Sequence, residues 1–128
     1  MTKNEKLLKF ANTLENNLYL CHQMVIIFDK VYLKDLYCLG KTDDKKYRFQ
    51  PEIVRKYVKV INVMRIADNI NDLMRIGGLH YERLSGNKKG ISSVRVNDKY
   101  RIEFIEHTEG ENKIATICNI TELTNHYQ

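Results

Sequence analysis

The chain has 128 residues, 43% of them hydrophobic and 29% charged, which allows one domain with a modest core and excludes both a second domain and wholesale disorder. A formal charge of +5 and a pI near 9.1 favour an acidic partner. The longest apolar run, MVIIF at 24–28, is strand-sized and excludes a membrane-spanning helix.

Residues 1–23 read as an extension of the domain, with Leu7, Leu8, Ala11, Leu14 and Leu18 at helical spacing among many asparagines. They lack the apolar core and small-residue cleavage site of a secretory signal. The domain proper is expected over 24–128, with MVIIF as its first strand; Met24 is also a candidate translation start. Asp29 is placed to cap a helix over 30–39, in which Leu33, Leu36 and Tyr37 share a face and Gly40 is the stop. After the polar loop KTDDKKYRFQ, Pro51 opens the longest helix. Its apolar stripe is Ile53, Val54, Tyr57, Val58, Ile61 and Met64, which leaves Arg55, Lys56, Lys59 and Asn62 as an ordinary solvated face. A break at 67–69 precedes the short apolar segment INDLMRI, terminated by Gly77 and Gly78.

The most informative stretch is LSGNKKGISSVRVNDKYRIEF, residues 84–104. Gly86 and Gly90 shape a turn there, since their spacing matches no phosphate-loop motif and no helix follows. Val94 and Val96 alternate with Ser93 and Arg95, and Tyr100, Ile102 and Phe104 alternate with Arg101 and Glu103, so two strands are expected. A three-residue turn of Asn97, Asp98 and Lys99 keeps all the apolar residues on one face, whereas a two-residue turn scrambles the faces. It sets Val96 against Tyr100, Val94 against Ile102, and Arg95 against Arg101. Like charges directly opposed cost up to about 1 kcal/mol. Two offsets are open: Glu103 on the same face, or a phosphate held in the arginine forks. HTEGEN at 107–112 reads as a turn and KIATICNI at 113–120 as a central strand, apolar on both faces. The order of elements gives an α+β fold, with the N-terminal strand and helices packed on one face of a small, mainly antiparallel sheet and the other face open.

Cys21, Cys38 and Cys118 are scattered, without C-x-x-C spacing, and fit a reducing cytoplasm better than a disulfide framework. The histidines show no paired spacing for zinc, so no metal or other cofactor is expected. His22 and His107 have no candidate partners, and His80 reads as a loop residue beside Leu79.

In order and spacing, LSGNKKGISSVRVNDKYRIEF resembles the signature of HigB-type toxins of the RelE/ParE superfamily: a Leu-x-Gly segment, a Gly, an S-x-R-x-N strand and a [WY]-R-I-x-F strand. The upstream MVIIFDKVYLKDLY resembles the start of that family, and the likeness covers roughly 24–127. It implies a RelE/ParE-like fold and the toxin of a type II toxin-antitoxin system, one that enters the ribosomal decoding site and cleaves mRNA without metal. The ribose 2′-OH would attack the adjacent phosphate. The resemblance also implies contact with ribosomal RNA and a cognate HigA-like antitoxin carrying a helix-turn-helix domain.

By the same resemblance, Arg101 would stabilise charge on the phosphate with Arg95 beside it, while Arg83, Lys88 and Lys89 would grip the RNA backbone. Many members end in D-Y-H; here the end reads TNHYQ, which makes His126 the candidate proton-transfer group and Tyr127 a stacking or hydrogen-bonding partner. Ser85 stands where relatives carry a lysine, and Glu82 where they carry a histidine. The hairpin signature does not separate ribosome-dependent nucleases from ParE-like toxins that bind DNA gyrase, nor from a module that has lost catalysis. Both stand as alternatives.

Overall fold

The structure, a computed structural model, describes residues 23–109 and 115–125. In chain order it contains β1 (Gln23–Phe28), α1 (Val31–Leu39), α2 (Pro51–Ile66), α3 (Ile70–Arg75), β2 (Glu82–Arg83), β3 (Ser92–Arg95), β4 (Arg101–Glu109) and β5 (Ala115–Thr124). Short 3₁₀ turns occupy Lys45–Tyr47, Gly77–Leu79 and Gly86–Lys88. The sheet order is β1-β5-β4-β3-β2, with β1 parallel to β5 and every other pair antiparallel. This is the α+β arrangement expected from the order of elements. Among the described residues no helix is long and apolar enough to cross a membrane.

The local signals act where chemistry requires. Pro51 sits in the first turn of α2, where its missing N–H costs nothing. Gly40 ends α1 in the left-handed region at φ 75° and returns its N–H to Leu36 O at 3.1 Å, a conformation that disfavours side chains with a Cβ. Asp29 does not cap α1, contrary to the sequence expectation. Its N–H donates to Ile120 O at 2.9 Å, so the chain is still tied to the sheet there. The helix begins one residue later, with Lys30 at the cap position making no capping bond.

The core lies between the helices and one sheet face. Ile53, Val54, Tyr57, Val60, Ile61 and Met64 of α2 are buried, so Val60 takes the place expected of Val58, which is half-buried. Opposite them lie Val94, Ile102, Phe104, Cys118, Ile120 and Leu123, each no more than 4% exposed. Tyr57 crosses the helix layer and donates its hydroxyl to Leu33 O at 2.8 Å, pinning α2 to α1.

Two strands run longer than expected. His107, Thr108 and Glu109 continue β4 instead of turning, pairing with Ile117, Thr116 and Ala115; residues 110–112 of the expected turn lie outside the described residues. β5 passes Ile120 and ends at Thr124, well beyond Phe28, where β1 stops opposite Ile120. A register shift at Glu103/Phe104 leaves Thr121 as the extra residue, and its Oγ1 donates to Glu103 O at 3.2 Å. Without that bulge Glu122 and Leu123 would exchange faces.

Burial gives the fold an alkaline limit. It pushes the Cys118 thiol up to about 12 and also raises the phenols of Tyr32 and Tyr57. The folded state therefore holds these protons more tightly than the unfolded chain. The associated stability is complete below the ordinary thiol value of 9.0 and is lost as pH rises through the folded value, at up to about 1.4 kcal/mol per pH unit for each group. Urea midpoints are expected to fall steadily from pH 9 upward, and Cys118→Ala should show a shallower fall.

Candidate active site

The β3–β4 hairpin sets the site. Asn97 Oδ1 accepts from the N–H groups of Lys99 and Tyr100 at 2.9 and 2.8 Å, and Val96 N–H donates to Tyr100 O at 2.9 Å. The three-residue turn is thereby closed by its own first side chain. Val94 faces Ile102 and Arg95 faces Arg101, as the apolar parity requires.

On the sheet face away from the helices, two adjacent rows cross the strands. One is Arg95, Arg101 and Thr124; the other is Glu82, Ser93, Glu103 and Glu122. A row carrying two arginines thus lies beside a row carrying three glutamates. Glu103, one of the two offsets the sequence left open for the arginine pair, lies on the same face in the adjoining row. It is buried, 4% exposed, and accepts from Lys88 Nζ at 2.7 Å. Its like-charged neighbour Glu122 is answered by Lys30 Nζ and by the Tyr32 hydroxyl. Burying a carboxylate requires such partners.

The two arginines differ in freedom. Arg101 Nε donates to Ser93 Oγ at 3.0 Å, its Nη2 donates to His80 O at 2.5 Å, and Nη2 lies 3.6 Å from Glu82 Oε1. Its side chain is only 12% exposed, so the guanidinium plane is fixed. Arg95 pairs with Asp98 in the exposed turn; a pair of that kind contributes no more than about 1 kcal/mol and exchanges readily for another anion. His80, Arg95, Asn97, Asp98 and Arg101 line an open cleft of about 430 Å³.

Two neighbours of Arg101 escape a sequence reading. In the sequence His80 reads as a loop residue, and Glu82 only as a substitution in a motif. Both reach the arginine because β2, two residues long, pairs Glu82 with Ser93. His80 just before it turns through φ 44° and aims its carbonyl at Arg101. A two-residue strand leaves no periodicity to read; a positive φ at a residue other than glycine is uncommon and marks the site only in three dimensions.

The other expected cations do not converge. Lys88 lies on the far side of Arg101, on a second cleft of about 580 Å³ that also touches Thr124 and Asn125. Arg83 and Lys89 line a separate cleft of about 420 Å³ that includes Glu106. Glu106 there accepts from the hydroxyls of Tyr81 and Ser92. His126 and Tyr127 lie outside the described residues. No three His, Cys, Asp or Glu side chains among the described residues gather around a metal-sized point.

The family model described as a RelE-like toxin of the type II toxin-antitoxin system HigB matches residues 27–118. The chain belongs to the HigB-like toxin family. Its match runs from β1 into β5 and so includes the whole hairpin with Arg95 and Arg101. Toxin HigB-1 of Vibrio cholerae serotype O1 is 32% identical over 82 residues, covering 63% of this chain and 82% of that protein. Among solved structures, the YoeB/ParE toxin from Agrobacterium tumefaciens aligns with a TM-score of 0.47 at 17% identity, covering 81% of this chain and 100% of that one. A chain of the YoeB-YefM complex from Staphylococcus aureus aligns with a TM-score of 0.41 at 21% identity, covering 82% and 99%. The HigB-like toxin has the α+β architecture of the RelE/ParE superfamily, with helices on one face of the sheet and the arginine pair on the other.

Lys88 is also an amine partner of the buried Glu103 carboxylate, so its loss should be felt in the fold. Lys88→Met is expected to destabilise the HigB-like toxin by about 1–2 kcal/mol in urea denaturation, because it takes an amine from a buried carboxylate. Glu103→Gln in the same background should recover most of that loss; an unchanged midpoint in Lys88→Met would show that the pair contributes nothing.

Proposed function

We propose that this HigB-like toxin is a ribosome-dependent mRNA endonuclease that uses the ribose 2′-OH as nucleophile and needs no metal. One observation carries the reading: a guanidinium held on three sides at the edge of an open cleft, with a second arginine directly opposed. In-line attack of the 2′-oxygen puts growing negative charge on the phosphate oxygens. A fixed fork of N–H donors stabilises that charge without reorganising at the moment of reaction. Arg101 is the fixed donor. Arg95 moves from Asp98 to the phosphate as the substrate arrives.

Proton transfer falls to His126, with Tyr127 as its partner; Thr124, two positions earlier in the chain, is the strand partner of Arg101. Glu82, 3.6 Å from Arg101, is the second titratable group beside the reacting centre. Arg83, Lys88 and Lys89 contribute sequence-independent, salt-sensitive contact with mRNA and ribosomal RNA. The setting is the cytoplasm, and the controlling partner is a cognate HigA-like antitoxin with a helix-turn-helix domain, as the family description of a type II toxin-antitoxin system suggests.

The test is to induce the chain in bacteria and map mRNA 5′ ends. New ends confined to translated messages support the nuclease. Growth arrest with intact mRNA and induced DNA damage would instead mark a gyrase-directed toxin, and an absence of any growth effect a module without catalysis. His126→Ala retaining full cleavage would transfer the proton-transfer role to Glu82, for which Glu82→Gln is then the check.

A further inference from the structure

We infer that the 580 Å³ cleft between the loop at 46–49 and Lys88 is a nucleobase subsite, and that it favours bases bearing an exocyclic amine over uracil. The inference rests on the RNA-directed function proposed above and adds a contact on the side of Arg101 away from the arginine-pair cleft.

Four observations carry it. The segment Lys46, Tyr47, Arg48, Phe49 alternates cation and ring, and all four side chains line the cleft, joined by Tyr100 from the hairpin. Rings supply π-faces for bases, and interleaved cations supply contacts for the backbone. The rings are also fixed in advance: Tyr47 stacks on Tyr32 at 3.6 Å between centroids and 2° between planes, and Phe49 meets Tyr100 edge-on at 5.7 Å. A platform already ordered loses little entropy on binding.

The simpler account is that these rings only seal the edge of β5 where β1 stops. Tyr32 does that, being 3% exposed with its hydroxyl on Glu122. Tyr47, Phe49 and Tyr100 remain half-exposed on the cleft wall, which sealing does not require.

The floor decides what enters. Glu103 and Glu122 both line the cleft, and ionised carboxylates only accept hydrogen bonds. They repel a phosphate and receive the amino group of adenine, cytosine or guanine, as carboxylates do for cytosine N4. Lys88 and Lys30, already paired with them, keep the acidic floor from repelling the strand as a whole. Thr124 lines the same cleft and is the strand partner of Arg101, so the subsite adjoins the phosphate grip.

The experiment uses the whole protein and 2′-O-methyl RNA hexamers, which bind but cannot be cleaved by 2′-OH attack. One position at a time carries 2-aminopurine, whose fluorescence is quenched on stacking. Quenching at one position is expected, its loss in Phe49→Leu together with about tenfold weaker binding, and severalfold tighter binding of an all-C hexamer than an all-U one. Arg48→Ala, at an exposed side chain, should weaken binding while leaving the quench. The proposal fails if Phe49→Leu quenches as the parent does, or if C and U hexamers bind equally. Arg101-dependent cleavage in cells without quenching at any position would sink the subsite alone; no hexamer binding together with no cleavage would sink the nuclease as well.

Discussion

Under the proposed nuclease mechanism, Arg101→Ala is expected to lower mRNA cleavage by about 100- to 1000-fold, the usual loss when a fixed donor to a developing oxyanion is removed. The accompanying loss of stability should be modest, about 1–3 kcal/mol, because Ser93 Oγ and His80 O lose a donor. The substitution relieves the like-charge contact with Arg95 in its own row, and the carboxylate it abandons, Glu82, is exposed and can be hydrated. Counts of new mRNA 5′ ends, set against a thermal melt of the same protein, separate the two effects. Arg101→Lys is the sharper variant. An ammonium retains the charge but cannot donate to Ser93 Oγ and His80 O while presenting a planar fork. If lysine restored cleavage to within a few-fold of the parent, charge alone would suffice and the fixed geometry would have no catalytic role.

Tyr57→Ala should have the largest effect on stability, about 3–5 kcal/mol. The side chain is 0% exposed, and its loss would leave a cavity in the layer between α2 and α1 as well as remove the bond to Leu33 O. Against a typical total of about 5–15 kcal/mol, that brings the protein close to unfolding at physiological temperature. Tyr57→Phe isolates the hydroxyl and should cost about 1 kcal/mol. Because α2 lies on the covered face of the sheet, Tyr57→Phe should leave cleavage unchanged. A drop in cleavage by a folded Tyr57→Phe would link the helix layer to the arginine face, contrary to this expectation.

What the sequence made visible follows a physical division. The hairpin register was readable because side-chain direction in a strand has a period of two, so one choice of turn satisfied five apolar positions at once. Gly40 and Pro51 were readable because their backbone constraints are intrinsic. The start of α1 was not, since Asp29 is held by Ile120, far away in sequence. Nor was the end of β5, whose last residues TELT are polar except for Leu123 and become strand through pairing with β4. The same holds within the site. Arg95 opposite Arg101 follows from parity, whereas Glu82 and His80 join them through a pairing too short to leave a pattern, and Lys88 meets Glu103 through a glycine-shaped loop with φ values of 66° at Gly86 and 93° at Gly90. Local rules write strands and caps; contacts across the sheet are written by the assembled whole.

The position of β5 between β1 and β4 governs when this molecule comes into being. Lys30 meets Glu122 across 92 residues of chain, and among the described residues β1 is paired in the sheet with β5 alone. Pairings of such long range close late and slowly. During synthesis the first strand stays without its sheet partner until residues 115–124 have been made, and the hairpin bearing Arg101 lacks its flanking strand until then. The sheet around the arginine pair is therefore incomplete in the nascent chain, and closes only when the last strand joins it.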